Sequence, residues 1–162
     1  MTIPKNISFL HPMIEKFQMG GGLLKKEDKK ETCASADNDY GTMFLKFLWV
    51  RDQAHIFHWQ AKMNSHHVIL GSFYEDYLEE LDELAETIFG KTGKTFTIGS
   101  GTMNFKDYSE ENLKMYLQKV PMIFGEYITK QFPNIPENAG IYHVIGDILE
   151  VINKMRYLMS QK

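Results

Sequence analysis

Residues 52–90 read DQAHIFHWQAKMNSHHVILGSFYEDYLEELDELAETIFG, and this stretch decides the fold and carries most of the chemistry of the chain. It holds four of the six histidines, followed closely by an acidic series. The histidines are His55, His58, His66 and His67, and the acidic residues are Glu75, Asp76, Glu79, Glu80, Asp82, Glu83 and Glu86. Imidazole nitrogens and carboxylate oxygens are the donors from which proteins build sites for iron, manganese or zinc.

The spacing of these residues indicates two amphipathic helices joined by a short turn. His55 and His58 stand three residues apart, so on a helix they share one face and extend the apolar stripe that precedes them. A second helix is predicted to open near His66, with Ser65 as its cap, and to end at Gly90. Its buried side is predicted from helical spacing to carry His67, Leu70, Gly71, Tyr74, Leu78, Leu81, Ala85 and Ile88.

One flank of the second helix carries a ridge of carboxylates. The residues recur at intervals of four, three and four, and they are Glu75, Glu79, Asp82 and Glu86. Like charges one turn apart repel one another unless a cation lies against them. The ridge is therefore either part of a metal site or a solvated face.

The motif formed by His58-Trp59, His67 and the run DELAE at residues 82–86 resembles the signature of Dps-type mini-ferritins. It is also similar to small ferritin-like proteins encoded by bacteriophages, which share the His-Trp pair and a short connection. In the Dps family the matching residues bind iron between two subunits. The resemblance therefore implies a homo-oligomer and the metal ligands His58, His67, Asp82 and Glu86, to which His55 can add a nitrogen.

The chain departs from the Dps pattern in two places. The connection between the His-Trp pair and the next histidine is shorter here, and the family's aspartate one turn after that histidine falls on Gly71. Glu75 and His66 are the residues that can substitute for it. The Glu-x-x-His pairs of larger ferritins are also absent, so a site in this chain is expected at a subunit boundary.

The resemblance implies a ferritin-like metal-binding protein that oxidises ferrous iron and sequesters it, with manganese and zinc as alternative metals. Trp59 and Tyr74 lie near enough to the motif to intercept oxidising equivalents. The alternative is a non-enzymatic assembly or interaction protein, for instance in a phage particle, whose metal site has decayed. Loss of the aspartate at Gly71 favours the alternative, whereas retention of the other motif residues opposes it.

The composition of the chain limits the other classes of protein to which it could belong. A length of 162 residues with 43% hydrophobic residues suits one domain with a full core. The net charge of −3 argues against DNA binding, although some Dps proteins bind DNA through Lys-rich arms. Cys33 has no partner for an internal disulfide, and no apolar run approaches the ~20 residues that span a bilayer. We therefore expect a soluble cytoplasmic protein, in the host cytoplasm or the virion if it is phage-encoded.

The rest of the chain predicts an all-α fold, namely a ferritin-like antiparallel four-helix bundle over residues 39–162 with an irregular N-terminal arm over residues 1–38. The first helix is expected from about residue 39 to residue 62, and a long crossover should link the second and third helices. The third helix should start at Ser109, continue through Pro121 and end at Phe132. The fourth is expected over residues 137–159, with an outward face that carries His143, Asp147, Glu150 and Lys154.

Overall fold

The computed structural model describes residues 40–98, 101–133 and 135–161, and in this part of the chain every regular element is helical. The elements are α1 (Tyr40–Gln60), α2 (Asn64–Thr92), α3 (Glu110–Gln131), a short 3₁₀ turn (Pro136–Asn138) and α4 (Ala139–Ser160). The all-α prediction is confirmed. The predicted N-terminal arm lies outside the described residues. None of the described helices is both long and apolar enough to cross a membrane.

The helix ends follow the sequence prediction at some positions and differ at others. Ser109 caps α3 by accepting a hydrogen bond from the backbone N–H of Asn112, and the helix runs unbroken through Pro121, as expected. The prediction that Ser65 caps α2 is wrong, because the helix begins at Asn64 and its cap is Met63, two residues before Ser65. The prediction that Gly90 ends α2 is also wrong: Gly93 adopts the left-handed conformation, with φ of 65°, and its N–H bonds to the Phe89 carbonyl.

Helix α1 packs against α2 and α3 along its whole length. Its Phe47 ring stacks on Phe124 of α3 at 4.1 Å between centroids. Tyr77 of α2 and Tyr116 of α3 are buried, and their hydroxyls donate to carbonyls of α1, those of Phe47 and Val50. Burial raises the pKa of both phenols well above the usual value, so both remain protonated donors. These contacts fix α1 against both α2 and α3.

The segment between α2 and α3 is fastened along α1 by side-chain amides. Gln53 is 1% exposed, and its amide forms two 2.8 Å hydrogen bonds with the backbone N–H and C=O of Lys106. Further along α1, Gln60 accepts from the backbone N–H of Tyr108. Near the start of α1, Gly41 lies against the carbonyl oxygen of Thr97, where a side chain would collide. The segment therefore runs along α1 in the direction of that helix, from its N-terminal end near Gly41 to its C-terminal end near Gln60.

The buried face predicted for α2 is rotated in the structure. The buried side of α2 includes Leu70, Leu81 and Ile88 as expected, but its centre is formed by Phe73, Tyr77 and Leu84. Tyr74, Leu78 and Ala85 are only half-buried. The reason is that α2 is covered from two sides, by α1 and by α4. The outward face predicted for α4 is confirmed, since His143, Glu150 and Lys154 are exposed. Lys154 forms an ion pair with Asp76 of α2, at 3.3 Å.

Candidate metal centre

His58 and His67 face each other across the turn between α1 and α2. His58 lies in the last turn of α1, and His67 lies in the first turn of α2. Their rings stack at 3.8 Å between centroids, with 20° between the planes. The structure brings these two histidines together within a single chain, whereas their role as ligands stays a prediction.

Two reciprocal hydrogen bonds hold the stacked pair. The Nδ1 of His58 lies 2.7 Å from the backbone oxygen of His67, and the Nδ1 of His67 lies 2.9 Å from the backbone oxygen of His58. A carbonyl oxygen only accepts, so both Nδ1 atoms must carry the proton. In the neutral rings, the Nε2 atoms then keep an unshared electron pair. A ring nitrogen in this state is the usual histidine donor to a metal ion.

Gly71 lies directly under the His58 ring. A Cβ atom at this position would be 3.1 Å from both Cε1 and Nδ1 of His58. That separation is tighter than an ordinary van der Waals contact, so a larger residue would press on the ring. The aspartate that the Dps resemblance implied at this position would therefore press on the His58 ring as it is placed in this structure. The sequence showed the substitution but not the packing that accompanies it.

His55 joins an aromatic cluster beside the pair. Its ring stacks on Tyr74 at 4.1 Å and lies 4.3 Å from Trp59, but it is 6.2 Å from the His58 ring. The Tyr74 hydroxyl donates to Glu75. Desolvation, and then the negative charge and hydrogen bond of Glu75, raise the pKa of the Tyr74 phenol. His55 thus contributes to a ring stack at this end of the bundle.

His66 points to a different neighbour. Its Nδ1 lies 2.7 Å from the hydroxyl of Tyr108, which in turn donates to Glu110 at 3.3 Å. Because the single hydroxyl proton goes to Glu110, His66 must donate to Tyr108. Partial burial and then the charge of Glu110 raise the pKa of Tyr108. His66, which the sequence analysis considered as a substitute ligand, is thus hydrogen-bonded to Tyr108 just before α3. This contact joins residues 42 positions apart, so the sequence alone could not predict it.

Asp82 and Glu86 lie far from the histidine pair within one chain. Both are exposed on α2, 15 and 19 residues beyond His67. At 1.5 Å per residue, the helix places them about 22 Å and about 28 Å along its axis from that histidine. In the described part of the chain, no three His, Cys, Asp or Glu side chains converge on a point where a metal ion could be held. One chain therefore presents the two halves of the predicted ligand set at separate places.

A second acidic region occupies the groove between α2 and α4. Its lining includes Glu80, Asp147, Glu150 and Lys154. Desolvation raises the pKa of Glu80, and the negative charges of Asp147 and of its neighbours on α2 raise it further. The groove thus concentrates carboxylates whose charge Lys154 offsets in part, and its residues on α4 belong to the face that the sequence predicted to be directed outward.

Comparison with known proteins gives one match. Residues 58–159 match a family described as a family of unknown function, DUF5856. The match starts at His58 and covers all of α2, α3 and most of α4, which is more than half of the chain. No curated protein and no solved structure matches the chain significantly. The chain belongs to the DUF5856 family.

Proposed function

We propose that this protein is a ferritin-like metal-binding protein whose site is shared between two copies of the chain. One copy supplies the histidine pair His58 and His67, and the other supplies the carboxylates Asp82 and Glu86. Ferrous iron is the substrate that the donor set suits, and manganese and zinc are alternatives. The observation that carries the proposal is the histidine pair, whose Nδ1 atoms are both satisfied by carbonyls and whose Nε2 atoms are free to ligate.

The sharing between copies follows from the distances along α2. An ion bound to a histidine nitrogen lies about 2.0–2.1 Å from it. Carboxylates about 22 Å or more away on the same rigid helix cannot reach that ion. A second copy that packs antiparallel against α2 would bring its own Asp82 and Glu86 to the histidine pair, by the reciprocity of a two-fold interface.

The surface around the pair is suited to such a contact. Trp59 is 68% exposed, and Met63 and Val68 are also exposed on either side of the turn. Contiguous apolar side chains on a soluble surface are a feature of protein interfaces. A second copy over the turn would cover these side chains and exclude water from the histidines at the same time.

The proposed chemistry is binding and oxidation of ferrous iron. The histidine pair would hold the ferrous ion, and dioxygen would accept the electrons, with four ferrous ions, one O₂ and four protons giving four ferric ions and two waters. The carboxylates would favour the more highly charged ferric product because their negative charges interact more strongly with it. The aromatic cluster of His55, Trp59 and Tyr74 adjoins the pair, with the Tyr74 ring 5.4 Å from the His58 ring, and we expect it to intercept oxidising equivalents. This role would be lost in a Trp59→Phe variant, and an unchanged radical signal in that variant would exclude it.

The test is complementation between two inactive variants. Neither His67→Asn alone nor the double variant Asp82→Asn, Glu86→Gln alone should bind Co²⁺ or oxidise ferrous iron. In a 1:1 co-refolded mixture, half of random dimers are mixed and each mixed dimer keeps one intact site, so about a quarter of the wild-type activity should return. The double variant Glu79→Gln, Glu83→Gln, on the same helix, serves as the control and should keep full activity.

Each outcome of this test has a distinct meaning. Recovery near a quarter supports a shared site. Full activity in either variant alone excludes the proposed ligands. No metal binding or oxidation by the wild-type protein itself would exclude the proposed function and leave the assembly or interaction role expected as the alternative.

A further inference from the structure

We infer that His67 is the metal ligand and that His58 is a positioning residue that holds its ring, so that each site binds one ion through a single imidazole. This inference rests on the proposed function. It assigns different roles to two histidines that the sequence motif treats alike.

The stacked geometry prevents both rings from binding the same ion. A histidine nitrogen donates its electron pair within the plane of its ring, at about 2.0–2.1 Å from the metal. The two ring planes are nearly parallel, at 20°, and the centroids are 3.8 Å apart. A single ion therefore cannot lie in both planes at bonding distance. Only one of the two imidazoles can ligate while the stack is intact.

The surroundings of the two rings select His67. The His58 ring is half-buried: His67 covers one face, Gly71 lies against its Nδ1 and Cε1 edge, and Tyr74 approaches it edge-on at 5.4 Å. The His67 residue is exposed, and among the described residues His58 is the only one whose ring stacks on it. A carboxylate from a second copy therefore reaches His67 more directly than it reaches His58.

His58 fixes the orientation of His67 in three ways. Its ring supports the face of His67, its carbonyl accepts the Nδ1 proton of His67, and its own Nδ1 donates to the carbonyl of His67. A hydrogen bond from Nδ1–H to a carbonyl sets the tautomer of a ligating histidine and increases its basicity. Removal of such a supporting contact generally weakens metal affinity by about 10–100-fold without abolishing the site.

Two asparagine variants separate the roles. The side-chain amide of asparagine can occupy the position of Nδ1 and donate the same hydrogen bond, but it offers no atom in place of Nε2. With Zn²⁺ alone as the probe, the full-length His58→Asn variant should bind within about tenfold of wild type, whereas His67→Asn should lose a hundredfold or more in affinity. His58→Ala should bind more weakly than His58→Asn, because alanine loses both the ring and the donor. That rescue distinguishes positioning from general destabilisation.

A measurement on the wild-type protein tests the same inference without requiring that any variant folds. In a long-range ¹H–¹⁵N spectrum, Zn²⁺ should shift the Nε2 signal of His67, whereas the Nε2 signal of His58 should move little and its Nδ1 should stay protonated. Large shifts at both rings, a shift at His58 alone, or equal losses in the two asparagine variants would overturn the inference while the proposed function stands. No shift at either ring would overturn both.

Discussion

The hydrogen bonds between Gln53 and Lys106 offer a direct test of how the connecting segment is held on α1. The change is Gln53→Met, which keeps the size of the side chain and removes its donor and acceptor. Gln53 is almost completely buried, and both of its bonds to Lys106 are 2.8 Å long. They join residues that are 53 positions apart, so they fix the segment to the helix rather than stabilise local structure.

The expected loss follows from the groups left without partners. Each unsatisfied backbone group costs about 1–3 kcal/mol when it is buried. The N–H and C=O of Lys106 are only partly buried, so water can replace some of the lost bonding and the lower part of that range applies. The free energy of unfolding should therefore fall by about 2–3 kcal/mol. With a urea slope of about 2 kcal/mol/M, the midpoint should move down by more than 1 M.

Urea unfolding followed by circular dichroism measures this change, and hydrogen exchange at the Lys106 amide measures local release of the segment. Gln118→Met is the matched control, because Gln118 is exposed on α3, and it should change the free energy of unfolding by less than about 0.5 kcal/mol. If Gln53→Met were no more destabilising than this control, the idea that the amide fastens the segment would be refuted.

Two further predictions concern packing and charge. Gly41→Ala should lower the melting temperature, because its Cβ would collide with the Thr97 carbonyl, whereas Gly146→Ala, in open space on α4, should raise stability by up to ~1 kcal/mol; equal effects in thermal melts would contradict this. The pKa of Glu80 is raised in the folded protein. At pH values above the pKa of an ordinary glutamate, its negative charge therefore lowers the free energy of unfolding. Glu80→Gln should therefore raise the melting temperature at pH 7, and the gain should shrink as acid protonates the wild-type side chain. Glu126→Gln, exposed on α3, is the control, and a gain from Glu80→Gln that does not change with pH would refute the argument.

The helices themselves were predictable because their signals are local. The period of apolar residues indicated four helices, and Ser109 and the acidic residues after it marked the start of α3 correctly. Pro121 did not divide that helix, because Val120 and Phe124 on either side are buried in the core. The short turn after α1 was also predicted, and it lies between His58 and His67. Each of these features depends on residues within about ten positions of one another.

Contacts between distant parts of the chain were not predictable, because they depend on how each helix is rotated against its partners. The period of α2 located its apolar side, but burial by both α1 and α4 moved the centre of that side to Phe73 and Tyr77. The bonds from Gln53 to Lys106 and from His66 to Tyr108 join residues more than 40 positions apart.

The sequence by itself thus determined the helical class and the hairpin of α1 and α2. Only the tertiary structure decided that His58 and His67 stack on one another, that Gly71 lies against the ring of His58, and that Gln53 bonds to Lys106. The physical reason is range: helical periodicity is encoded within a few turns, whereas the contacts around a side chain are set by the packing of whole helices.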